Sequence, residues 1–352
     1  MPEIDDLHRR ARGALLGLAI GDALGAPADV HRTVRTPWVR GRLWAASADL
    51  DQQRVSRPLL PFAPTLSDTH GVVPTDDAEE AAAAALALLA AGDDDDALFE
   101  NWLLHHAGED VWLGVAARSA VVNAAWGLRP PQTGNDGPAA DDDAAVPGAL
   151  AFAISAAGDA DDAARGARRY ARITHAGDGV DAAAFMAALV TRLLVGATFD
   201  AALTRAREEV RLGSWLAAGL ESAESIAAES SKGSGFSAVL PLIQALSPRM
   251  YSHAATAAET VPLAVAMTLL TQGDPERAIP LSLTIARKAD SLPAFVGALC
   301  GAMRGTTAFD TAWNDLDQLR GILLPSTAGI RLTTLAGCLL AESHPAEQRD
   351  TT

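Results

Sequence analysis

The sequence contains little cysteine, few aromatic residues and little positive charge. Two cysteines among 352 residues, Cys300 and Cys338, each lie in an apolar stretch of small residues, so we expect buried free thiols rather than a disulfide. Aromatic residues make up 5% of the chain, too few for a typical β-sandwich or barrel. Lysine and arginine number 28 against 44 acidic residues, and the net charge of -16 argues against nucleic acid as a partner.

Long apolar runs are missing as well. The longest, from Ala81 to Ala91, is shorter than the ~20 residues that a membrane-spanning helix needs. The charged start MPEIDDLHRRARG lacks the apolar stretch of a signal peptide. Sequence motifs for zinc, for a phosphate-binding loop and for a dinucleotide fold are absent too. We therefore expect a cytoplasmic protein without a membrane partner.

What the sequence does contain is alanine-rich apolar periodicity of 3.6 residues, which predicts an all-α fold of closely packed helices. The clearest segments are Leu7 to Ala23, Ala78 to Ala91, Ala182 to Val195, Phe199 to Val210, Thr260 to Leu270 and Ser291 to Met303. Two long interruptions, Pro27 to Val73 and Gly127 to Pro147, are predicted to be loops that line a functional site. Because no repeat or Ser/Gly linker divides the chain, residues 1–342 are expected to form one domain, with a disordered tail at 343–352.

The segment GALLGLAIGDALGAPADV predicts a first helix from about Arg10 to Leu24, ending at Gly25 and Pro27. Asp22 lies inside this apolar helix and must be either exposed or paired, because an unpaired buried carboxylate is costly. Asp29 follows on an expected loop, as an ordinary solvated residue or as a carboxylate that points into a cleft. Three glycines at four-residue spacing form a stripe for tight helix packing: Gly13, Gly17 and Gly21.

A second acidic motif, Thr75, Asp76 and Asp77, directly precedes the apolar helix that starts near Ala78. One interpretation is a helix cap with acidic residues that complement the helix dipole. The other is a set of oxygen ligands for a hard cation such as Mg²⁺. The triplet alone does not decide between them.

A comparable acid and hydroxyl, Asp290 and Ser291, open a later helix whose small-residue face predicts close packing on a neighbour. That face consists of Gly297, Ala298, Gly301 and Gly305. Two such helix starts could converge on one ion or could be unrelated caps. The turn ITHAGDGV could place the imidazole of His175 or the carboxylate of Asp178 at a cleft. Alternatively, His175 interacts only with the dipole of a helix that ends nearby, as histidines near a helix C-terminus commonly do.

At these residues the sequence resembles the ADP-ribosylglycohydrolase family. The first helix segment, PTDDAEEAAAAALALL with its Thr-Asp-Asp turn, and ETVPLAVAMTLL with ARKADSLPAFVGALCGAMRG occur in the family's order. The turn ITHAGDGV is similar to the family's Ile-Thr-His-x-x-Asp. The resemblance extends from about Arg10 to Gly305.

The resemblance implies an orthogonal, single-domain helical bundle that uses Mg²⁺ to cleave a bond at the anomeric carbon of ADP-ribose. It makes Thr75, Asp76, Asp77, Asp290 and Ser291 the candidate metal ligands. The catalytic candidates are then Asp77 and Asp29, the latter where the family commonly has a glutamate. The implied substrate-binding residues are Lys288, His175 and Asp178.

The chain also departs from the family pattern. Lys288 stands where the family has an aspartate ligand, and residues 142–147 replace its Asn-Gly-x-x-Met-Arg segment. An ammonium group at Lys288 would substitute for one ion's charge, so we expect one Mg²⁺ or Mn²⁺ rather than two.

Two functions follow from these residues. The first is a metal-dependent hydrolase, or related transferase, that cleaves an N- or O-glycosidic bond of an ADP-ribosyl or ribosyl nucleotide-like molecule, or of an ADP-ribosylated protein. The alternative is a catalytically inactive family member that acts as a ligand-binding or structural protein. The retained oxygen ligands favour the enzyme, and Lys288 favours the alternative.

Overall fold

The computed structural model describes residues 4–33, 72–230, 236–246, 256–285 and 291–343. In these ranges the chain is helical, with isolated β-bridges but no strand, which confirms the predicted all-α class. The α-helices are α1 (Ile4–Thr33), α2 (Asp76–Ala91), α3 (Asp95–His106), α4 (Val115–Ala125), α5 (Gln132–Asn135), α6 (Val146–Ser155), α7 (Ala160–Ala171), α8 (Gly177–Leu194), α9 (Phe199–Ala206), α10 (Trp215–Ser230), α11 (Phe236–Leu246), α12 (Ala257–Thr271), α13 (Pro275–Leu283), α14 (Ser291–Arg304) and α15 (Leu332–Ser343). Short 3₁₀ helices cover Arg207–Glu209, Thr306–Ala308, Thr311–Asp317 and Pro325–Thr327.

The centre of the molecule is α8, whose residues from Ala182 to Val190 are all buried. Helices α6, α7, α9 and α12 pack around it. Alanine fills most of the buried positions of α2 and is the most frequent buried residue of α8, so the helix axes can approach closely. No helix in the described ranges is long and apolar enough to cross a membrane.

The first helix packs against α14 through glycine, as the stripe predicted. A Cβ atom on Gly17 would lie 2.0 Å from the carbonyl oxygen of Gly297, and one on Gly21 would lie 1.9 Å from that of Pro293. On the α14 side, a Cβ atom on Gly301 would lie 1.9 Å from the carbonyl oxygen of Gly13. The two helix backbones are therefore in direct contact. We call this contact the seam; it is formed by Gly13, Gly17 and Gly21 of α1 and by Pro293, Gly297 and Gly301 of α14, and at its glycine positions there is no room for a Cβ atom.

The predicted end of the first helix is wrong. Helix α1 continues through Gly25 and Pro27 to Thr33, and Gly25 is not among the glycines with the positive φ that commonly ends a helix. Asp29 therefore belongs to a helix and not to a loop, and its side chain lies outside the described residues. Residues 34–71 of the expected loop are likewise outside them.

Two smaller expectations also change. The interval from Gly127 to Pro147 is not a plain loop, since it contains α5 and the start of α6. Cys300 is buried and Cys338 is exposed, although both thiols are free. Helix α15 turns Leu332, Leu335 and Leu339 to the core, so that Cys338 falls on the opposite face.

Candidate active site

The start of α2 lies at a cleft that is open to solvent and encloses about 600 Å³ when the open solvent at its mouth is included. Its walls come from the end of α3, the starts of α4 and α6, the end of α7, the turn between α7 and α8, and a loop at residues 323–324. The polar and aromatic lining residues are Asp76, Asp77, Glu80, His175, Trp102, Trp112 and Tyr170. The predicted Asp76, Asp77 and His175 thus meet at one place.

The Thr75-Asp76-Asp77 turn is held by Asp22, which is fully buried on α1. Its Oδ1 accepts a hydrogen bond from the Thr75 hydroxyl at 2.5 Å, and its Oδ2 accepts from the backbone N–H groups of Thr75 at 2.7 Å and Ala78 at 3.0 Å. Asp22 is therefore paired, and it caps α2 from another helix. Thr75 itself makes no side-chain capping bond, so the expectation that the triplet caps its own helix is wrong for Thr75.

Adjacent residues of α1 position both predicted helix starts. Asp22 binds the start of α2, while Gly21 packs on the backbone of Pro293 in the first turn of α14. Ser291, the first residue of α14, is thus near the same end of α1 as Thr75. Asp290 and Lys288 lie outside the described residues.

The turn offers oxygen ligands of the type that Mg²⁺ prefers. The Thr75 hydroxyl oxygen lies 3.3 Å from Asp76 Oδ1, and the Asp77 side chain is buried at the edge of the same cleft. The described residues contain no group of three or more His, Cys, Asp or Glu side chains that could hold a metal. Two carboxylates and a hydroxyl fit part of a magnesium shell, and a further ligand has to come from elsewhere.

His175 also lines the cleft, and it is buried with a hydrogen-bond partner at each ring nitrogen. Nδ1 lies 2.6 Å from the Thr174 hydroxyl, and Nε2 bonds to the carboxylate of Asp142. The carboxylate only accepts, so Nε2 donates, while Nδ1 can accept from the hydroxyl. The neutral imidazole satisfies this site.

Asp178 has a structural role. Its carboxylate pairs with Arg211 at 3.0 Å and accepts from the backbone N–H of Leu216 at 3.1 Å, in the first turn of α10. It is not among the residues that line the cleft. The turn thus directs His175 to the cleft and Asp178 to a neighbouring helix.

A second buried histidine, His106, which the sequence did not single out, lies behind the cleft-lining Glu80. Glu80 accepts from His106 Nε2, which lies 3.0 Å and 3.1 Å from its two oxygens, and from the Tyr170 hydroxyl at 3.4 Å. His106 Nδ1 lies 2.7 Å from the carbonyl oxygen of Trp102, and the two rings stack at 4.3 Å. The available signal was helical spacing, since Glu80 follows Asp77 by three residues and Asp76 by four.

The adjacent Glu79 points away from the cleft. Its buried carboxylate accepts from the N–H groups of Ile322, Leu323 and Leu324 at 2.6 to 2.9 Å. Burial raises the pKa of Glu79, against the lowering effect of these three bonds. Glu79 thereby ties the wall at residues 323–324 to the helix that carries the acidic turn.

A model of the ADP-ribosylglycohydrolase family matches residues 3–348. The chain belongs to this family. Membership in this family suggests a glycohydrolase of ADP-ribosyl substrates.

Among solved structures, a chain described as an "ADP-ribosylglycohydrolase-related protein complex" superposes with a TM-score of 0.62 at 22% sequence identity. The match covers 97% of the present chain and 100% of that one, and at this identity it shows the fold. Comparison with curated proteins gives no significant match. The family resemblance and the helical-bundle fold are thus confirmed.

Proposed function

We propose that this protein is a metal-dependent hydrolase, or a related transferase, that cleaves an N- or O-glycosidic bond of an ADP-ribosyl or ribosyl nucleotide-like substrate. The cleft at the start of α2 is the proposed active site. The observation that carries the proposal is the position of Asp76 and Asp77, which line one cleft together with His175 and several aromatic side chains. An ADP-ribosylated protein is a further candidate substrate.

The chemistry suits these side chains. Departure of a group from an anomeric carbon builds positive, oxocarbenium-like charge, which a nearby carboxylate stabilises. In the proposal Asp77 supplies this carboxylate, because it lies at the cleft on a turn that Asp22 fixes to α1. Aromatic walls such as Trp112, which is 55% exposed, offer flat surfaces for a base or a sugar.

A single Mg²⁺ or Mn²⁺ ion would be held by Thr75, Asp76 and Asp77, with Asp290 and Ser291 as the further ligands that the family resemblance implies. Such an ion would supply a fixed positive charge that orients the ribose hydroxyls against the carboxylates. Lys288 takes the place of one expected ligand, which is the reason for proposing one ion rather than two. Asp29 stays a catalytic candidate on the resemblance alone.

The first test is calorimetric titration of the metal-free protein with Mn²⁺ and Mg²⁺. One bound ion per chain is expected, and Asp77→Asn should weaken its binding strongly. Two equivalent tight sites would overturn the one-ion proposal. No heat at millimolar metal would overturn the metal site itself.

The second test is turnover of ADP-ribosylated arginine, serine and small-molecule substrates with Mg²⁺. Asp77→Asn should abolish release of ADP-ribose, while the helical circular dichroism spectrum stays unchanged. The matched control is Asp200→Asn, an exposed aspartate in the first turn of α9, which should retain full activity. If the wild-type protein binds ADP-ribose but turns over none of these substrates, the alternative of an inactive ligand-binding member is favoured.

A further inference from the structure

We propose that Glu80 contacts the substrate by accepting hydrogen bonds from hydroxyl groups of the ribose at the reacting end, and that His106 and Tyr170 position it. The inference rests on the proposed function and adds a recognition residue that the predicted set did not include.

The position of Glu80 on α2 gives the first argument. Residues three and four apart lie on the same face of a helix, so Glu80 is one turn further along the face that carries Asp76 and Asp77. All three line the same cleft. A ribose held at Asp76 and Asp77 would therefore meet Glu80 as its next acidic neighbour.

The protonation of His106 gives the second argument. Its Nδ1 faces the Trp102 carbonyl oxygen and its Nε2 faces the Glu80 carboxylate, and both groups act only as acceptors. With Glu80 ionised, both ring nitrogens face acceptors, and this geometry favours the imidazolium form of His106. Burial alone would lower the pKa of His106, but the charge and hydrogen bond of Glu80 raise it above its usual value.

This buried positive charge changes what Glu80 can bind. The chain carries a net charge of -16, and an acidic cleft repels an anionic diphosphate. Because His106 balances Glu80, that carboxylate adds little to the repulsion and needs no cation from the ligand. Neutral donors such as hydroxyl groups fit it best, as when an acidic residue binds ribose in dinucleotide sites.

Glu80 also retains room to accept further bonds. A carboxylate has about four acceptor positions, and in the described residues its donors are His106 Nε2 and the Tyr170 hydroxyl. Its side chain is 20% exposed, whereas that of His106 is fully buried. One side of the carboxylate is therefore fixed by protein while the other faces the cleft.

The test measures the affinity of ADP-ribose and of ADP, which lacks the second ribose, with Mg²⁺ present. Glu80→Gln should weaken ADP-ribose binding by about tenfold, since a bond to a charged acceptor is lost, and should leave ADP binding nearly unchanged. The sign is informative: if Glu80 only contributed negative charge to the cleft, its removal would strengthen the binding of both anionic ligands. Glu100→Gln, on an exposed carboxylate of α3, is the matched control and should change neither affinity.

Positioning is tested with Tyr170→Phe and His106→Asn. Both should lower the ratio of ADP-ribose affinity to ADP affinity, Tyr170→Phe by a few-fold, whereas a structural role would affect the two ligands equally. Because Tyr170→Phe removes only one hydroxyl group, it can replace Glu80→Gln as the test of the proposal if Glu80→Gln fails to fold. Unchanged or tighter ADP-ribose binding in Glu80→Gln, together with loss of binding in Asp77→Asn, would overturn this inference alone. No binding to the wild-type protein would overturn it together with the proposed function.

Discussion

Backbone packing holds the seam between α1 and α14, whereas hydrogen bonds between side chains hold the walls of the cleft. In the seam, Gly17 and Gly297 bring two backbones into direct contact, with no side chain between them. In the cleft, charged and polar side chains hold one another, as Glu80 and His106 do. The seam therefore tolerates almost no substitution, while the cleft can be altered one group at a time.

Asp22 joins these two regions. It follows Gly21, which packs on Pro293, and it caps α2 at Thr75 and Ala78. The position of the acidic turn is consequently set by the seam, although the turn itself contains no glycine. The close backbone packing of α1 on α14 thus helps to position the Thr75-Asp76-Asp77 turn at the cleft.

The largest effect is expected from breaking the seam with Gly17→Val. The new side chain would collide with the backbone of Gly297, which cannot rotate away, so the protein should fail to fold or lose most of its stability. Circular dichroism and gel filtration measure this. Gly337→Ala on α15 is the control, because its nearest neighbour is a flexible Arg12 nitrogen at 3.9 Å, and it should be neutral or slightly stabilising. A cooperatively folded Gly17→Val protein would contradict the account.

A smaller loss is expected from Asp22→Ala, which leaves the buried N–H groups of Thr75 and Ala78 without their acceptor. The cost should be about 3 kcal/mol in the free energy of unfolding, measured with urea. Asp22→Asn keeps one acceptor oxygen and should cost less. Equal stability of the alanine variant and the wild-type protein would show that Asp22 does not fix the turn.

The smallest expected effect is a pH dependence of the melting temperature that comes from the pair of His106 and Glu80. Because the pKa of His106 in the folded protein is raised above the ordinary histidine value of about 6.5, its pairing with Glu80 stabilises the protein fully below about pH 6.5. That contribution is lost as the pH rises through the raised pKa. The melting temperature of the wild-type protein should fall across this range relative to His106→Asn. Both proteins should carry His105→Gln, because the charge of His106 contributes to the lowered pKa of His105, whose titration would otherwise differ between them. Parallel melting curves would then refute the imidazolium.

The comparison also explains what the sequence could predict. Glycines at four-residue spacing encode the seam locally, so it was predictable, and so was the acidic turn of Thr75, Asp76 and Asp77. The pair of Glu80 and His106 was not, because its partners lie on different helices whose packing no local pattern specifies. The end of α1 was mispredicted because Gly25 and Pro27 are helix-ending residues in isolation, and the continued helix contradicts that local signal.

His175 and Asp178 illustrate the same limit within a single turn. His175 lies in the turn before α8 and Asp178 in its first turn, yet one lines the cleft and the other pairs with Arg211 and caps α10. Their direction depends on where α10 and residue Asp142 lie, which only the folded chain reveals. The sequence identified the turn, and tertiary packing placed His175 at the cleft and Asp178 against a neighbouring helix.

The most direct test of the central claim is a crystal structure of the protein with Mn²⁺ and ADP-ribose, recorded with anomalous scattering. The account predicts one manganese peak beside the oxygens of Thr75, Asp76 and Asp77, with the second ribose between Asp77 and Glu80. ADP-ribose bound elsewhere, or a cleft without manganese at saturating metal, would contradict it.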